Sequence, residues 1–152
     1  MKIHRIFKPQ NPKILMYNMK KKTIFLGQRV SDEDWNTLVA DTKKVCNTLD
    51  KMNYITYSTL DENEEQFKNS SDWLFHAFKK IDKSDIFLAI VKSEKWSEGL
   101  LMEVGYVLAK KKIFVLAINR KVKNTYLREM TDIIVEFNDT DDLIKKFKKL
   151  KI

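Results

Sequence analysis

Glycine is nearly missing from this sequence, with three in 152 residues against an average usage of about 7%. Cysteine occurs once, and proline and histidine twice each. A single cysteine, Cys46, excludes an internal disulfide framework, and with only His4 and His76 beside it a conventional zinc site is not expected. No metal and no cofactor is anticipated. No apolar run approaches the roughly 18 residues of a membrane span. The start, MKIHRIFKPQNPKILMYNMKKK, lacks the apolar core of about 7–15 residues that marks a secretory signal. The expectation is therefore a cytoplasmic protein without a membrane partner, and no internal repeat or low-complexity segment is visible.

What is present is the composition of one soluble domain, 43% hydrophobic and 33% charged. The net charge of +8 could attract phosphate, nucleotide or nucleic acid. Part of it lies in KKFKKLK at residues 145–151, where Leu143, Ile144, Phe147 and Leu150 form a helical stripe and leave the lysines on the opposite face. That cluster reads as a solvated face at a helix C-terminus, so nucleic acid is not an expected partner.

Residues 1–22 hold both prolines, Pro9 and Pro12, and show no period, so they read as an N-terminal extension. Met19 is a second potential start, which makes residues 1–18 either a docking arm or an accidental addition. The domain spans residues 23–152. Its pattern alternates, beginning with an apolar run from Thr23 to Gly27. Ser31 is expected to cap the next helix, with Asp32, Glu33 and Asp34 in its first turn and Trp35, Leu38, Val39, Thr42, Cys46 and Leu49 on its buried face. Further strands are expected at Tyr54 to Tyr57, Asp85 to Val91, Ile113 to Ile118 and Ile133 to Phe137. Helices are expected over about 64–82, with Phe67, Ser71, Leu74, Ala77, Phe78 and Ile81 inward, over the stretch SEGLLMEVGY, briefly near Thr125 to Thr131, and at the end. Five strands alternating with helices, the third nearly all apolar, imply a three-layer α/β fold of flavodoxin/Rossmann type, with a parallel sheet of order 2-1-3-4-5.

In that order the first and third strands are neighbours whose helices leave on opposite sides, and ligands bind in the crevice beyond their carboxyl ends. The loops concerned are 27–31 and 92–98. All three glycines, Gly27, Gly99 and Gly105, fall at these loops or in the helix after the second. Each glycine inside a helix costs roughly 1 kcal/mol relative to alanine, which asks for a reason. Leu100, Leu101, Val104, Val107 and Leu108 define the core side of that helix. Glu103 lies at the stripe's edge and leans over the turn containing Gly99. On this reading Gly99 clears space before the carboxylate and Gly105 permits close packing on the sheet. Backbone amides at the helix start, with Ser97 at the cap, could hold an anion. The plainer alternative is a surface glutamate with glycines that ease packing.

The spacing Ser97-x-Gly99-x-x-x-Glu103-x-Gly105, between DIFLAIV and IFVLAI, resembles the nucleoside 2-deoxyribosyltransferase superfamily, and within it the 2'-deoxynucleoside 5'-phosphate N-hydrolases. The similarity runs from about Lys22 to Phe137. It implies that Glu103 is the nucleophile that attacks C1' of the sugar, giving a glycosyl ester that water or a second base resolves. It places Gly27, Gln28, Arg29, Ser97, Glu98 and Gly99 at the substrate and its phosphate. Serine at position 97, where the transferases usually have aspartate, favours a 5'-phosphate over a free nucleoside, as does nearby Arg29. The resemblance also implies a homodimer or higher homo-oligomer, with Asn124 and Thr125 reaching a neighbour's pocket.

Two positions depart from the family. The aspartate that orients the sugar and assists protonation of the leaving base is Ala77 here, and the tyrosine of the first-strand motif is Ile24. Asp72 and His76 lie close by in sequence, though not on the face of Ala77, and a loop two residues longer, Lys92 to Trp96, could bring in Glu94 or Glu98 as a substitute. Two other readings stand beside this one. The first is a TIR-like domain, cleaving NAD or mediating interactions, suggested by Ser93, Trp96 and Ser97 ahead of Glu103. The second is an inactive nucleotide binder, which Ala77 and Ile24 would explain.

Overall fold

The computed structural model describes residues 20–62 and 64–152; the reading of residues 1–18 lies outside them. In chain order the elements are β1 (Thr23–Gln28), α1 (Trp35–Lys51), β2 (Ile55–Ser58), α2 (Ser70–Asp82), β3 (Ile86–Val91), α3 (Glu98–Ala109), β4 (Ile113–Asn119), the short α4 (Leu127–Met130), β5 (Ile133–Phe137) and α5 (Thr140–Phe147). Two 3-10 turns, Thr59–Asp61 and Glu64–Gln66, fill the link from β2 to α2. All strand pairs are parallel and the sheet order is β2-β1-β3-β4-β5, as expected.

Side chains alternate across the strands, so each central strand feeds two cores. Phe25, Phe87 and Phe114 point to one face, where Ala77 and Ile81 of α2 and Leu100, Val104 and Val107 of α3 cover them. Ile24, Leu26, Ile86 and Leu88 point to the other, under Val45 and Leu49 of α1 and Leu143 and Phe147 of α5. Burial on both faces explains why β3 is wholly apolar and wholly buried. It also sends α1 and α3 to opposite sides of β1 and β3, which opens the crevice.

Several local expectations need correction. The first long helix begins at Trp35 and not after Ser31, because Asp32 adopts a left-handed φ of 60° and Asp34, in extended conformation, accepts from Thr37 N at 2.8 Å. Trp35 and Val39 are consequently exposed, Cys46 is half-buried, and Val45 and Thr48 join the buried face. The helix expected from about residue 64 starts at Ser70, where Asn69 caps it by accepting from Asp72 N at 3.0 Å. Phe67 lies ahead of that helix and Ser71 is exposed. On α3, Leu101 and Leu108 face outward, and only Leu100, Val104 and Val107 are buried. Of the C-terminal lysines, Lys145, Lys148, Lys149 and Lys151 are exposed, while Lys146 donates to Glu136 O and Asp142 Oδ2.

Candidate active site

Gly27 pairs with Ala89 where β1 runs beside β3, and α3 passes over this point. A Cβ on Gly27 would stand 2.7 Å from Glu103 Oε2 and 2.7 Å from Phe87 Cζ. Only a glycine leaves room there for the carboxylate to rest against the strand. Among the described residues Glu103 has no hydrogen-bond or ion-pair partner, and burial pushes its pKa up to about 8.

The other two glycines do not play the parts expected of them. A Cβ on Gly99 would meet only Ser97 Oγ, at 3.8 Å, so the space before Glu103 is made by Gly27; Gly99 borders the open cleft. A Cβ on Gly105 would meet nothing within 4 Å, and the residue is exposed, so Gly105 does not serve packing on the sheet.

Glu103 opens into a cleft of about 960 Å³ at the carboxyl end of the sheet. All three tryptophans of the chain line it. Trp35 and Trp73 stand in the first turns of α1 and α2, and Trp96 comes just before α3. Flat aromatic walls around a carboxylate suit a ring-bearing ligand. Helical periodicity places Trp35 in the core and does not single out Trp73; the signal that separates them from core residues is their common place at helix starts beyond the carboxyl ends of the strands.

Of the residues expected at the substrate, Gln28, Arg29, Ser97, Glu98 and Gly99 line this cleft together with Glu103, whereas Gly27 lies beneath it. Asn124 and Thr125 lie in the β4–α4 connection and do not line the chain's own cleft. Gln28 spends its side-chain amide on Thr42 Oγ1 at 2.7 Å. Ser97 caps α3 by accepting from Leu100 N at 3.2 Å, which leaves its hydroxyl proton free to donate. The Arg29 side chain is 11% exposed and stands 3.4 Å from both Asp32 and Glu33, yet its buried Nη1 makes no hydrogen bond. A largely enclosed guanidinium whose Nη1 lies in ion-pair range of Glu33 but makes no hydrogen bond, lining one pocket with the cap residue of a twelve-residue helix, is chemically suited to an anionic group.

Ala77 is 1% exposed, packed in the core with Phe25 and Phe87, and absent from the cleft wall. Glu98 lines the cleft but is exposed, and Glu94 is exposed and outside it. Asp72 is used in the first turn of α2, where it accepts from Lys68 N at 3.1 Å.

The titratable cluster that sequence reasoning missed is centred on Glu62. Glu62 Oε1 accepts from Tyr57 OH and lies 2.9 Å from His76 Nε2, and Oε2 accepts from Gln66 Nε2 at 2.7 Å. The Tyr57 hydrogen bond above all, with His76 and Gln66, holds the Glu62 pKa down to about 2. Burial, and then the neighbouring Glu62, push the Tyr57 phenol well above its usual range. Of these four residues, Glu62 lines the cleft.

No family model and no curated protein matches the sequence. Solved structures do. A CMP N-glycosidase from Clostridium botulinum is similar at TM-score 0.65 and 15% identity, over 85% of this chain and 100% of that one. A 2-deoxyribosyltransferase from Bacillus psychrosaccharolyticus is similar at 0.53 and 21%, over 80% and 90%. One from Leishmania mexicana is similar at 0.53 and 16%, over 64% of each chain. At these identities the likeness is one of fold, and the chain has the five-stranded three-layer architecture shared by an N-glycosidase and 2-deoxyribosyltransferases.

Proposed function

We propose that this chain belongs to the nucleoside 2-deoxyribosyltransferase superfamily and cleaves the N-glycosidic bond of a deoxynucleoside 5'-monophosphate, with Glu103 as nucleophile. The observation that carries this reading is the unpaired carboxylate of Glu103, seated over Gly27 at the floor of a tryptophan-lined cleft. The solved structures of similar fold support it by their own activities on nucleosides and a nucleotide.

In the first step a Glu103 oxygen bonds to C1' as the bond from C1' to the base nitrogen breaks, and its electron pair leaves with the base. The departing base takes its proton from solvent water, which is left as hydroxide. Water then attacks C1' of the ester and frees Glu103; a second base in place of water would make the reaction a transfer. Arg29, through its unused Nη1 donor, and Ser97 with the first amides of α3 hold the 5'-phosphate. Because Ala77 supplies no proton to the departing base, turnover is slow for this class of reaction. A second copy of the chain brings Asn124 and Thr125 to the cleft, and the exposed Leu101, Met102 and Leu108 of α3 with Phe75 of α2 give it an apolar face to dock on. No described helix is long and apolar enough to cross a membrane.

The test is incubation of the purified protein with deoxynucleoside monophosphates, deoxynucleosides and NAD, followed by chromatography. Free base from a monophosphate is the expected product. Nicotinamide from NAD would replace this reading with the TIR-like one. A melting-temperature rise with nucleotide and no cleavage would leave an inactive binder.

A further inference from the structure

The Glu62 cluster is too well built to be idle surface. Its carboxylate is 15% exposed, and a carboxylate out of bulk water is costly unless its oxygens are hydrogen-bonded. Tyr57, His76 and Gln66 supply those bonds, and Lys80 Nζ stands 3.9 Å from Oε1. Tyr57 is itself fixed, its ring packed against Phe25 at 5.4 Å and under Lys80 Nζ at 4.4 Å. His76 is held against Phe67 at 5.1 Å. The donors fix both the ionisation and the orientation of the carboxylate.

An ionised carboxylate accepts hydrogen bonds at about four lone-pair positions and donates none. Oε1 serves Tyr57 and His76 and Oε2 serves Gln66, so one acceptor position remains, on Oε2. Leu60, Trp73 and Leu74 line the same cleft as Glu62. A planar ring lying against these side chains would present its edge to an acceptor that cannot become a donor.

We infer that Glu62 selects the base, admitting those with an exocyclic amino group at that edge and rejecting those with a carbonyl oxygen in its place. Cytosine and adenine present such a donor, whereas thymine presents an acceptor, and uracil likewise. A hydrogen bond to a charged group contributes about 1.5–3 kcal/mol, which corresponds to roughly 10- to 100-fold in affinity. The inference rests on the nucleotide reading of the cleft but not on bond cleavage.

Deoxycytidine and deoxyuridine monophosphates differ on this edge in the amino or carbonyl group at C4, so their dissociation constants for the wild-type protein, measured by titration calorimetry, test it directly. The expected result is tighter binding of the cytidine nucleotide by at least about tenfold, with the preference collapsing in Glu62→Gln, whose amide can both donate and accept. Glu94→Gln, which removes an exposed carboxylate outside the cleft, keeps the preference. Equal affinities for the wild-type protein, or a preference unchanged in Glu62→Gln, would overturn the inference, as would a loss of cleavage in Glu62→Gln with discrimination intact. Base release without discrimination removes this inference alone. Discrimination without base release removes the reaction and leaves Glu62 as a base selector.

Discussion

Gly27 and Glu103 share one space: the position of a Cβ on Gly27 lies 2.7 Å from the Glu103 carboxylate, with the buried ring of Phe87 closing the other side at the same distance. Gly27→Ala must therefore displace Glu103, Phe87 or both. Because the Phe87 ring is held in the core, we expect a stability loss of about 1–3 kcal/mol and a fall in kcat larger than any change in KM. By contrast, Gly105→Ala meets nothing and should stabilise α3 by roughly 0.5–1 kcal/mol. Urea unfolding of the two variants checks both signs.

The pH dependence of stability follows from the raised Glu103 pKa. Its folded value of about 8 lies above the ordinary 4.5, so the native state holds this proton more tightly than the unfolded chain does. Stability from this group is fully present below about pH 4.5 and declines as pH rises towards 8, by at most about 1.4 kcal/mol per pH unit. Glu62 acts in a separate window. Its lowered value of about 2 gives stability present above pH 4.5 and lost as pH falls towards 2. Glu103→Gln should flatten the decline between about pH 5 and 8 and raise Tm at pH 8, while kcat/KM of the wild-type protein should rise across the same interval as the proposed nucleophile ionises.

Replacing Ala77 by aspartate should not supply the acid that the proposed superfamily carries. The position is 1% exposed in the core and does not border the cleft. A carboxyl there has no partner in view and should cost roughly 3 kcal/mol, seen as a lower urea midpoint without a gain in base release.

On the proposed reading, Arg29 carries the preference for a 5'-phosphate. Arg29→Met keeps most of the side chain's bulk and removes the buried donor. It should raise KM for a deoxynucleoside monophosphate by roughly 10- to 100-fold and leave that for the corresponding nucleoside within a few-fold.

The strands and their order were legible because burial on both faces writes continuous apolar runs, and β5, Ile133–Phe137, matches its expected limits. Helix starts were less so. The run Ser31-Asp32-Glu33-Asp34 offers several competent caps, and the left-handed turn at Asp32 that selects Asp34 is a tertiary outcome. Glu103 stood out through its spacing on α3, but its true neighbour, Gly27, comes from another element 76 positions away, a relation that helical periodicity cannot express. Trp35 illustrates the same gap, since a residue in a helix's first turn fits an apolar stripe whether it faces the core or a cleft. The Glu62 cluster joins β2, the connection after it and α2, so no single periodic stretch contained it.

The nucleophile assignment is tested most directly by intact-mass analysis of the protein mixed with a deoxynucleoside monophosphate and quenched within a turnover, alongside chromatography for free base. The wild-type protein should release base and gain the mass of one deoxyribosyl phosphate, the nucleotide less its free base, mapped by proteolysis to the peptide containing Glu103, and Glu103→Gln should show neither. Base release by Glu103→Gln at the wild-type rate, or an adduct on another residue, would contradict it.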